Sequence, residues 1–183
     1  LIYMSGGRAN LAAPRTLVWV DRQGRETAIP APPRPYIFVD LSPDDLRIAA
    51  FAGDQELDIW LFELSRATLR QATFDPTLDS FPTWSPDGRR LFFTSARNGA
   101  SNIYSQATDG TGTIERISDS ANMQSPTDVL GDGSALIFTE RDQRSSEGIM
   151  QMTLGDTRRI TRLVQTPFSE RNGVVAPDRR WLA

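Results

Sequence analysis

Four aspartates recur along the chain at a nearly constant spacing: Asp44, Asp87, Asp132 and Asp178. Four carboxylates brought together in a fold could bind cations. Each of them, however, directly follows a proline or a glycine in a short polar stretch, where an aspartate side chain accepts hydrogen bonds from nearby backbone amides. We therefore expect each carboxylate to stabilise its own turn.

A second acidic group comprises Asp54, Glu56 and Asp58, whose alternating spacing could hold Ca²⁺. The stretch lacks the glycine and the final bidentate glutamate of a calcium-binding loop. We therefore favour solvated acidic residues over a calcium site, and we predict neither a metal nor another cofactor.

The residues needed for nucleophilic catalysis are missing from the sequence, which contains neither cysteine nor histidine. A thiol nucleophile and a thiolate zinc site are excluded, and so is the histidine base of a Ser-His-Asp triad. Ser42 and Ser85 each precede a proline in a turn and have no base to activate them. We predict that the chain has no catalytic residue and is not an enzyme.

The overall charge excludes further classes of function. A formal net charge of −3 and an isoelectric point near 5.0 argue against nucleic-acid binding, which requires a basic stripe. The sequence contains no run of about 18 apolar residues, so it predicts no membrane-spanning helix. The first residues, from Leu1 to Arg8, lack both an initiator methionine and a signal-peptide pattern, so we expect the interior of a longer protein or a processed chain.

The aspartates belong to an internal repeat of about 45 residues. Its turns centre on Pro43, Pro86, Gly131 and Pro177, which lie 43, 45 and 46 residues apart. An apolar residue precedes each centre by two positions, and a large aliphatic residue follows it by five. The apolar clusters are short, rich in β-branched and aromatic residues, and bounded by Gly, Pro, Asp, Asn and Ser, which predicts strands.

Four short strands in each repeat predict an all-β fold of β-propeller blades with four antiparallel strands, about four blades in this chain. Within a single array over residues 1–183, we expect a partial blade without its inner strand, three full blades and the start of another. Their ranges are 1–35, 36–79, 80–124, 125–170 and 171–183. Predicted strands include 113–118, 157–161 and 171–175. Because further blades are needed to close a ring, we expect a larger propeller or a homodimer that completes the ring.

The repeat also places the loops. The turns at the four centres fall on one rim, and the loops at 74–79, 96–101, 119–124, 141–147 and 162–170 fall on the opposite rim. Propellers commonly bind partners at such loops, although solvated loops are the alternative. The predicted partner-binding residues are Asp75, Asp79, Arg97, Asn98, Asn122 and Gln124. The rim aromatics are Phe74, Phe81 and Phe168, whereas all four tryptophans are assigned to core packing.

Several motifs resemble a known family of repeats. Ser85-Pro86-Asp87-Gly88 after an aromatic residue, then Asn102-Ile103-Tyr104, then Arg116-Ile117-Ser118 resemble the WD-like, Pro-Asp repeat of TolB-type propellers. The third-strand motif recurs as Asp58-Ile59-Trp60 and Gly148-Ile149-Met150. The turns depart from the pattern at Asp45, at Leu130-Gly131 and at Arg179. The resemblance covers residues 36–183 well and 1–35 loosely, and residues 16–24 look most like propellers attached to bacterial serine/threonine kinases.

The resemblance implies a ring of six to eight blades and a non-catalytic module for protein–protein interaction or ligand sensing. TolB-type propellers are periplasmic and bind the peptidoglycan-associated lipoprotein, so a protein partner and an extracytoplasmic location are expectations from resemblance. Two alternatives stay open. One is the propeller of a prolyl-oligopeptidase-type serine peptidase whose catalytic domain lies outside this chain, and the other is a propeller that binds a carbohydrate or another small ligand.

Overall fold

The computed structural model describes residues 2–4, 12–53, 57–142, 147–164, 166–178 and 180–183, and these form four antiparallel sheets. Blade 1 contains β1 (Ile2–Met4), β2 (Leu17–Val20) and β3 (Glu26–Ala28). Blade 2 contains β4 (Tyr36–Leu41), β5 (Arg47–Gly53), β6 (Leu57–Glu63) and β7 (Thr68–Gln71). Blade 3 contains β8 (Asp79–Trp84), β9 (Arg90–Ser95), β10 (Asn102–Ala107) and β11 (Glu115–Arg116). Blade 4 contains β12 (Met123–Val129), β13 (Ala135–Arg141), β14 (Glu147–Thr153) and β15 (Ile160–Val164).

Each full blade is a meander in which consecutive strands pair. The first strands of the full blades lie side by side, since β8 contacts both β4 and β12. First strands that gather around one axis are the arrangement of a propeller. The predicted all-β fold of four-stranded antiparallel blades is therefore confirmed, with a three-stranded sheet in blade 1.

The hydrophobic core is divided among the spaces between neighbouring blades. Successive side chains of a strand point to opposite faces of its sheet. In β5, Ile48 and Ala50 pack toward Leu17 of blade 1, whereas Ala49 between them packs toward Trp84 of blade 3. Both faces of a middle blade are thus buried, which explains why β5 is apolar at nearly every position.

The repeated turns have the geometry that their sequences predict. Gly88 has a φ of +66°, which suits a residue without a Cβ, and its amide donates to the Ser85 carbonyl at 2.8 Å. Asp87 accepts hydrogen bonds from the Ser85 hydroxyl at 2.6 Å and from the Arg89 amide at 3.0 Å. The prediction that the four regular aspartates stabilise their own turns is confirmed, because the other three also accept bonds from amides two residues ahead (Asp44, Asp132 and Asp178).

Three predicted strands differ from the structure. The last strand of blade 4 covers Ile160–Val164 instead of 157–161, because Thr153 bonds the Thr157 carbonyl and the Arg159 amide and thereby lengthens the preceding turn. The strand predicted at 113–118 is only Glu115–Arg116, since the amides of residues 117 and 118 both donate to the carbonyl of Ile103. In place of a strand over 171–175, the structure has an isolated bridge between Val175 and Leu182.

In the ranges given above, no helix has the length and apolar character needed to cross a lipid bilayer.

Candidate functional site

The loop-rich rim is defined here as the described residues of 74–79, 96–101, 119–124, 141–142 and 166–170, together with Glu147. These segments connect second to third strands, or the last strand of one blade to the first strand of the next. All six predicted partner-binding residues lie on this rim. The structure divides them between two clusters, one in blade 3 and one at the entry to blade 4.

The first cluster is centred on Arg97. Its Nη2 lies 2.8 Å from Oδ2 of Asp79, its Nε donates to Ser95 Oγ at 2.8 Å, and Asp75 Oδ2 is 3.8 Å from Nε. The guanidinium carbon also lies 5.0 Å from the centre of the Tyr104 ring. Arg97 therefore ties the loop before blade 3 to the loop between its second and third strands.

The two acids of the cluster have pKa values shifted in opposite directions, one by burial and the other by hydrogen bonding. Asp79 is fully buried, and desolvation raises the pKa of its carboxyl against the opposing effect of hydrogen bonds from Ser95 and Arg97. Hydrogen bonds from the side chain and amide of Thr77 lower the pKa of the more exposed Asp75. Ser95 and Arg97 thus partly offset the effect of burial on the Asp79 carboxyl.

The exposed residue of this cluster is Asn98. Its Nδ2 donates to the hydroxyl of Tyr104 at 3.0 Å. The same Tyr104 ring packs in the core between blades 2 and 3. Asn98 is therefore held on the core and presents its remaining polar groups to solvent.

The second cluster joins Asn122 and Gln124 to Glu140. The Glu140 carboxylate accepts from Gln124 Nε2 at 2.6 Å and from Asn122 Nδ2 at 3.3 Å. The Gln124 amide donates to the Ser101 carbonyl, and the Gln124 carbonyl accepts from the Thr94 hydroxyl, both at 2.9 Å. Gln124 is fully buried, so it joins blades 3 and 4 beneath the rim.

Asn102 is a further organising residue that the sequence reasoning did not select. It is fully buried; its Nδ2 donates to the Ser120 carbonyl at 2.9 Å, and its Oδ1 accepts from the Ser120 amide at 3.2 Å. Asn102 could have been found from the sequence, because it begins the third-strand motif of blade 3 as Asp58 begins that of blade 2. Asp58 is likewise buried and accepts from Gln71 and Thr73.

The acidic group considered for calcium is described only at Asp58, because Asp54 and Glu56 lie outside the described residues. Among the described residues, no group of three or more acidic side chains is placed to hold a metal ion. A metal at this loop therefore has no support from the described part of the chain.

Two adjoining grooves lie between these clusters on the loop-rich rim. The outer groove, of about 490 Å³, runs between the loop at 99–101 and the loop containing Ala121. The inner groove, of about 290 Å³, is lined by Phe81 and Arg171 among others. Met123 and Arg141 line both grooves, and none of the six predicted residues lines either. The surface of the grooves is therefore made by other residues than the six predicted ones.

The rim aromatics differ in exposure. Phe74 and Phe168 are 74% and 76% exposed. Phe81 is half-buried, lies 5.8 Å from Phe38 in an edge-to-face pair, and has a φ of +52°, a strained value for a bulky residue. It occupies an irregularity in the pairing of β8 and faces the inner groove.

Comparison with known proteins assigns the family. Residues 37–182 match the model of the PD40 family, described as a TolB β-propeller domain, and this match covers most of the chain. The chain belongs to the TolB β-propeller family. Among curated relatives, the Tol-Pal system protein TolB of Wolinella succinogenes is 32% identical over 79 residues, which are 43% of this chain and 19% of that protein.

Solved structures support the TolB-like propeller. The crystal structure of TolB from Acinetobacter baumannii superposes with a TM-score of 0.84 and 25% identity, covering 100% of this chain and 45% of that chain. A prolyl endopeptidase structure aligns over 90% of this chain and 28% of that chain, with a TM-score of 0.60 and 15% identity. The second likeness concerns the fold alone. The chain thus spans less than half of the TolB structure and about a fifth of the curated TolB relative.

Proposed function

We propose that this TolB-like chain is a non-catalytic protein-binding part of a propeller, and that a partner binds in the two grooves of the loop-rich rim. The observation that carries the proposal is the position of Met123 and Arg141, which line both grooves between loops anchored by buried hydrogen bonds. Loops on a rigid scaffold are where binding residues concentrate. A partially apolar groove with a charged side chain at its edge suits a protein segment.

The six predicted residues keep two different roles in this proposal. Asp79, Gln124 and Arg97 are buried or nearly so, and they position the loops. Asn98 is exposed, and Asp75 and Asn122 are half-buried, so these three are proposed to contact the partner at the edge of the groove. Phe74 and Phe168 add exposed apolar surface to the same rim.

The TolB relative supplies a defined partner to test. Because that relative is named as a Tol-Pal system protein, we propose the peptidoglycan-associated lipoprotein as the partner. The chain contains no histidine, so a triad of the prolyl-peptidase type would require residues outside it.

The first prediction concerns Arg141, whose side chain is 65% exposed beside Glu147. We expect Arg141→Glu to weaken binding of the soluble lipoprotein domain from Wolinella succinogenes by about tenfold or more, because a charge reversal at a groove edge repels a complementary partner. Isothermal titration calorimetry measures the affinity. Arg66→Glu, an exposed residue of the opposite rim, is the matched control. The proposal is contradicted if wild type does not bind, if Arg141→Glu binds unchanged, or if the control loses as much.

We also propose that a second copy covers the outer face of blade 4 and continues the ring. Val174 and Trp181, which flank the bridge that follows this blade, are 51% and 69% exposed, and Leu163 of β15 is 41% exposed. The prediction that Trp181 packs in the core is therefore wrong. Large exposed apolar side chains near an unpaired sheet edge favour association. These exposed apolar side chains motivate a dimer.

The second prediction is a concentration-dependent dimer detected by light scattering. We expect Trp181→Glu to raise the dimer dissociation constant by about tenfold or more, because a buried aromatic anchor is replaced by a charge. Phe168→Glu, equally exposed but on the loop-rich rim, serves as the control and should leave the dimer unchanged. A wild-type chain that stays monomeric at every concentration refutes self-association.

A further inference from the structure

A cleft of about 540 Å³ opens between blades 3 and 4 on the rim opposite the loop-rich rim. Its apolar lining includes Phe92 and Ile117 from blade 3 with Val129 and Leu154 from blade 4. Arg90, Glu115 and Arg158 lie at its mouth. Its volume lies in the range of ligand-binding sites in proteins, about 300–1,000 Å³.

The corresponding space between blades 2 and 3 is occupied by an arginine and an aromatic ring. There Arg47 of blade 2 donates to the Gly88 carbonyl at 2.9 Å and to the Thr108 hydroxyl at 3.1 Å. Its guanidinium carbon lies 4.8 Å from the centre of the Trp84 ring. A guanidinium placed over an aromatic ring is a favourable contact, so ring and cation together close this interface.

The repeat gives the equivalent residues at the open interface. Arg90 begins β9 as Arg47 begins β5, but Arg90 donates to Ser105 of its own blade and pairs with Glu115 at 3.3 Å. Glu115 occupies the strand position that Arg70 has in blade 2, where Arg70 instead donates to the Thr108 carbonyl of blade 3. Blade 3 thus has the acidic Glu115 where blade 2 has the basic Arg70, and Glu115 holds Arg90 against blade 3.

Within the described residues, the interface between blades 3 and 4 also lacks an aromatic ring equivalent to the Trp84 ring that lies under Arg47. Val129 of β12 stands at the position of Trp84 in β8, and Leu154 stands where blade 3 has Thr108. Phe92 replaces Ala49 on the facing strand and compensates for part of the lost volume from the blade 3 side. The cleft nevertheless remains open, with apolar walls and two arginines that meet at Glu115.

We propose that this cleft binds an aromatic side chain, supplied by a segment of a partner protein, in the place that the Trp84 indole takes at the neighbouring interface. The ring packs on Val129 and Leu154, and Arg90 covers its face as Arg47 covers Trp84. An aromatic ring suits apolar walls with a guanidinium at the mouth better than an aliphatic or charged side chain does. This surface is separate from the loop-rich rim, so it does not depend on the proposed function.

The test titrates the 183-residue chain with acetyl-Gly-Trp-Gly amide and follows backbone amide shifts by NMR. We expect saturable shifts at Val129 and Gly133, with a dissociation constant of about 1 mM, as is typical for a single small group. Acetyl-Gly-Leu-Gly amide and acetyl-Gly-Glu-Gly amide are the matched probes, and each should bind at least about fivefold more weakly because neither offers a ring to Arg90.

The decisive variant is Phe92→Ala/Val129→Trp, which copies the Ala49 and Trp84 pair of the closed interface and fills the cleft from within the chain. It should abolish the saturable shifts while keeping the overall spectrum. If this variant does not fold, Leu154→Asp, at a half-buried wall position, should weaken binding about tenfold by placing a charge against the ring. Non-saturable shifts in wild type, equal affinity for the leucine probe, or unchanged binding in the folded variants would overturn the proposal.

Discussion

Replacing Arg97 by methionine is expected to lower the free energy of unfolding by about 3–5 kcal/mol at neutral pH, the typical cost of removing one partner of a buried ion pair. The Arg97 side chain is 15% exposed, and the Asp79 carboxylate that it pairs with is fully buried. Without the guanidinium, Asp79 must remain as an uncompensated buried charge or take up a proton. Chemical denaturation monitored by circular dichroism measures the loss.

Two comparisons separate this effect from the loss of a surface contact. Asp79→Asn/Arg97→Met removes both charges, so it should be more stable than the single Arg97→Met variant. Arg25→Met removes the partner of Asp21 from a pair whose arginine is 79% exposed, and it should cost far less stability than Arg97→Met because solvent screens an exposed pair. A loss for Arg97→Met as small as that for Arg25→Met would show that Asp79 is not paired in the folded protein.

The pH dependence of the Arg97→Met variant has a defined sign. Burial already raises the pKa of Asp79, and removal of the guanidinium raises it further. A carboxyl with a raised pKa stabilises the fold at low pH and loses this contribution as the pH rises. The difference in the free energy of unfolding between wild type and Arg97→Met should therefore become smaller as the pH falls toward 4.

The fold could be predicted from the sequence because the repeat presents the same local signals several times. Ser85-Pro86-Asp87-Gly88 is one turn signal, but its recurrence in register with apolar positions such as Trp84 and Val129 specified blades. Besides the strand predicted at 171–175, the least accurate predictions were the outermost strands, β11 and β15. These strands are largely exposed and have few packing constraints, so side-chain bonds in the adjoining turns determine where they begin.

The candidate site was predictable as a rim but not as a set of side chains. Periodicity fixes which loops meet, whereas the conformation of each loop depends on individual buried bonds such as those of Asn102 and Gln124. Residues selected for their charge, such as Asp79 and Arg97, form an ion pair with each other. Met123 and Arg141 instead line the groove. The cleft was likewise hidden, because Arg47 and Arg90 occupy equivalent positions of the repeat and their different partners become visible only in the structure.

The inner strands are joined by aspartates that sequence reasoning also missed, at the third position before the turn centre. Asp40 Oδ2 accepts the Trp84 amide at 3.2 Å, and Asp128 Oδ2 accepts the Val175 amide at 2.8 Å. Burial raises the pKa of Asp40 to about 6, and the nearby Asp128 charge adds to the effect, while the hydrogen bond from the Trp84 amide opposes it. Each bond links one blade to the next near the axis.

The raised pKa of Asp40 predicts an unusual dependence of stability on pH. The pKa of Asp40 in the folded protein lies above the ordinary 3.8. Its contribution to stability is therefore fully present below pH 3.8 and is lost as the pH rises through about 6. The exposed turn aspartates behave in the opposite way: Asp44 and Asp87 have lowered pKa values, and their contribution is lost as the pH falls below about 4. Stability should therefore be greatest between these two limits and decline toward neutral pH.

We expect Asp40→Asn to raise the free energy of unfolding at pH 7.5 by up to about 3 kcal/mol, which is the energy equivalent of a pKa near 6 against 3.8. The asparagine oxygen can still accept the Trp84 amide, so the bond between blades 2 and 3 survives while the buried charge disappears. Because the chain has no histidine whose titration would overlap that of Asp40, urea denaturation between pH 5 and 7.5 follows the effect of Asp40. Asp44→Asn, at an exposed turn, is the control and should leave the change of unfolding free energy with pH unaltered across this interval. A wild-type stability that is flat across this interval would mean that Asp40 is charged in the fold at little cost, and that the bond from Trp84 compensates for its burial.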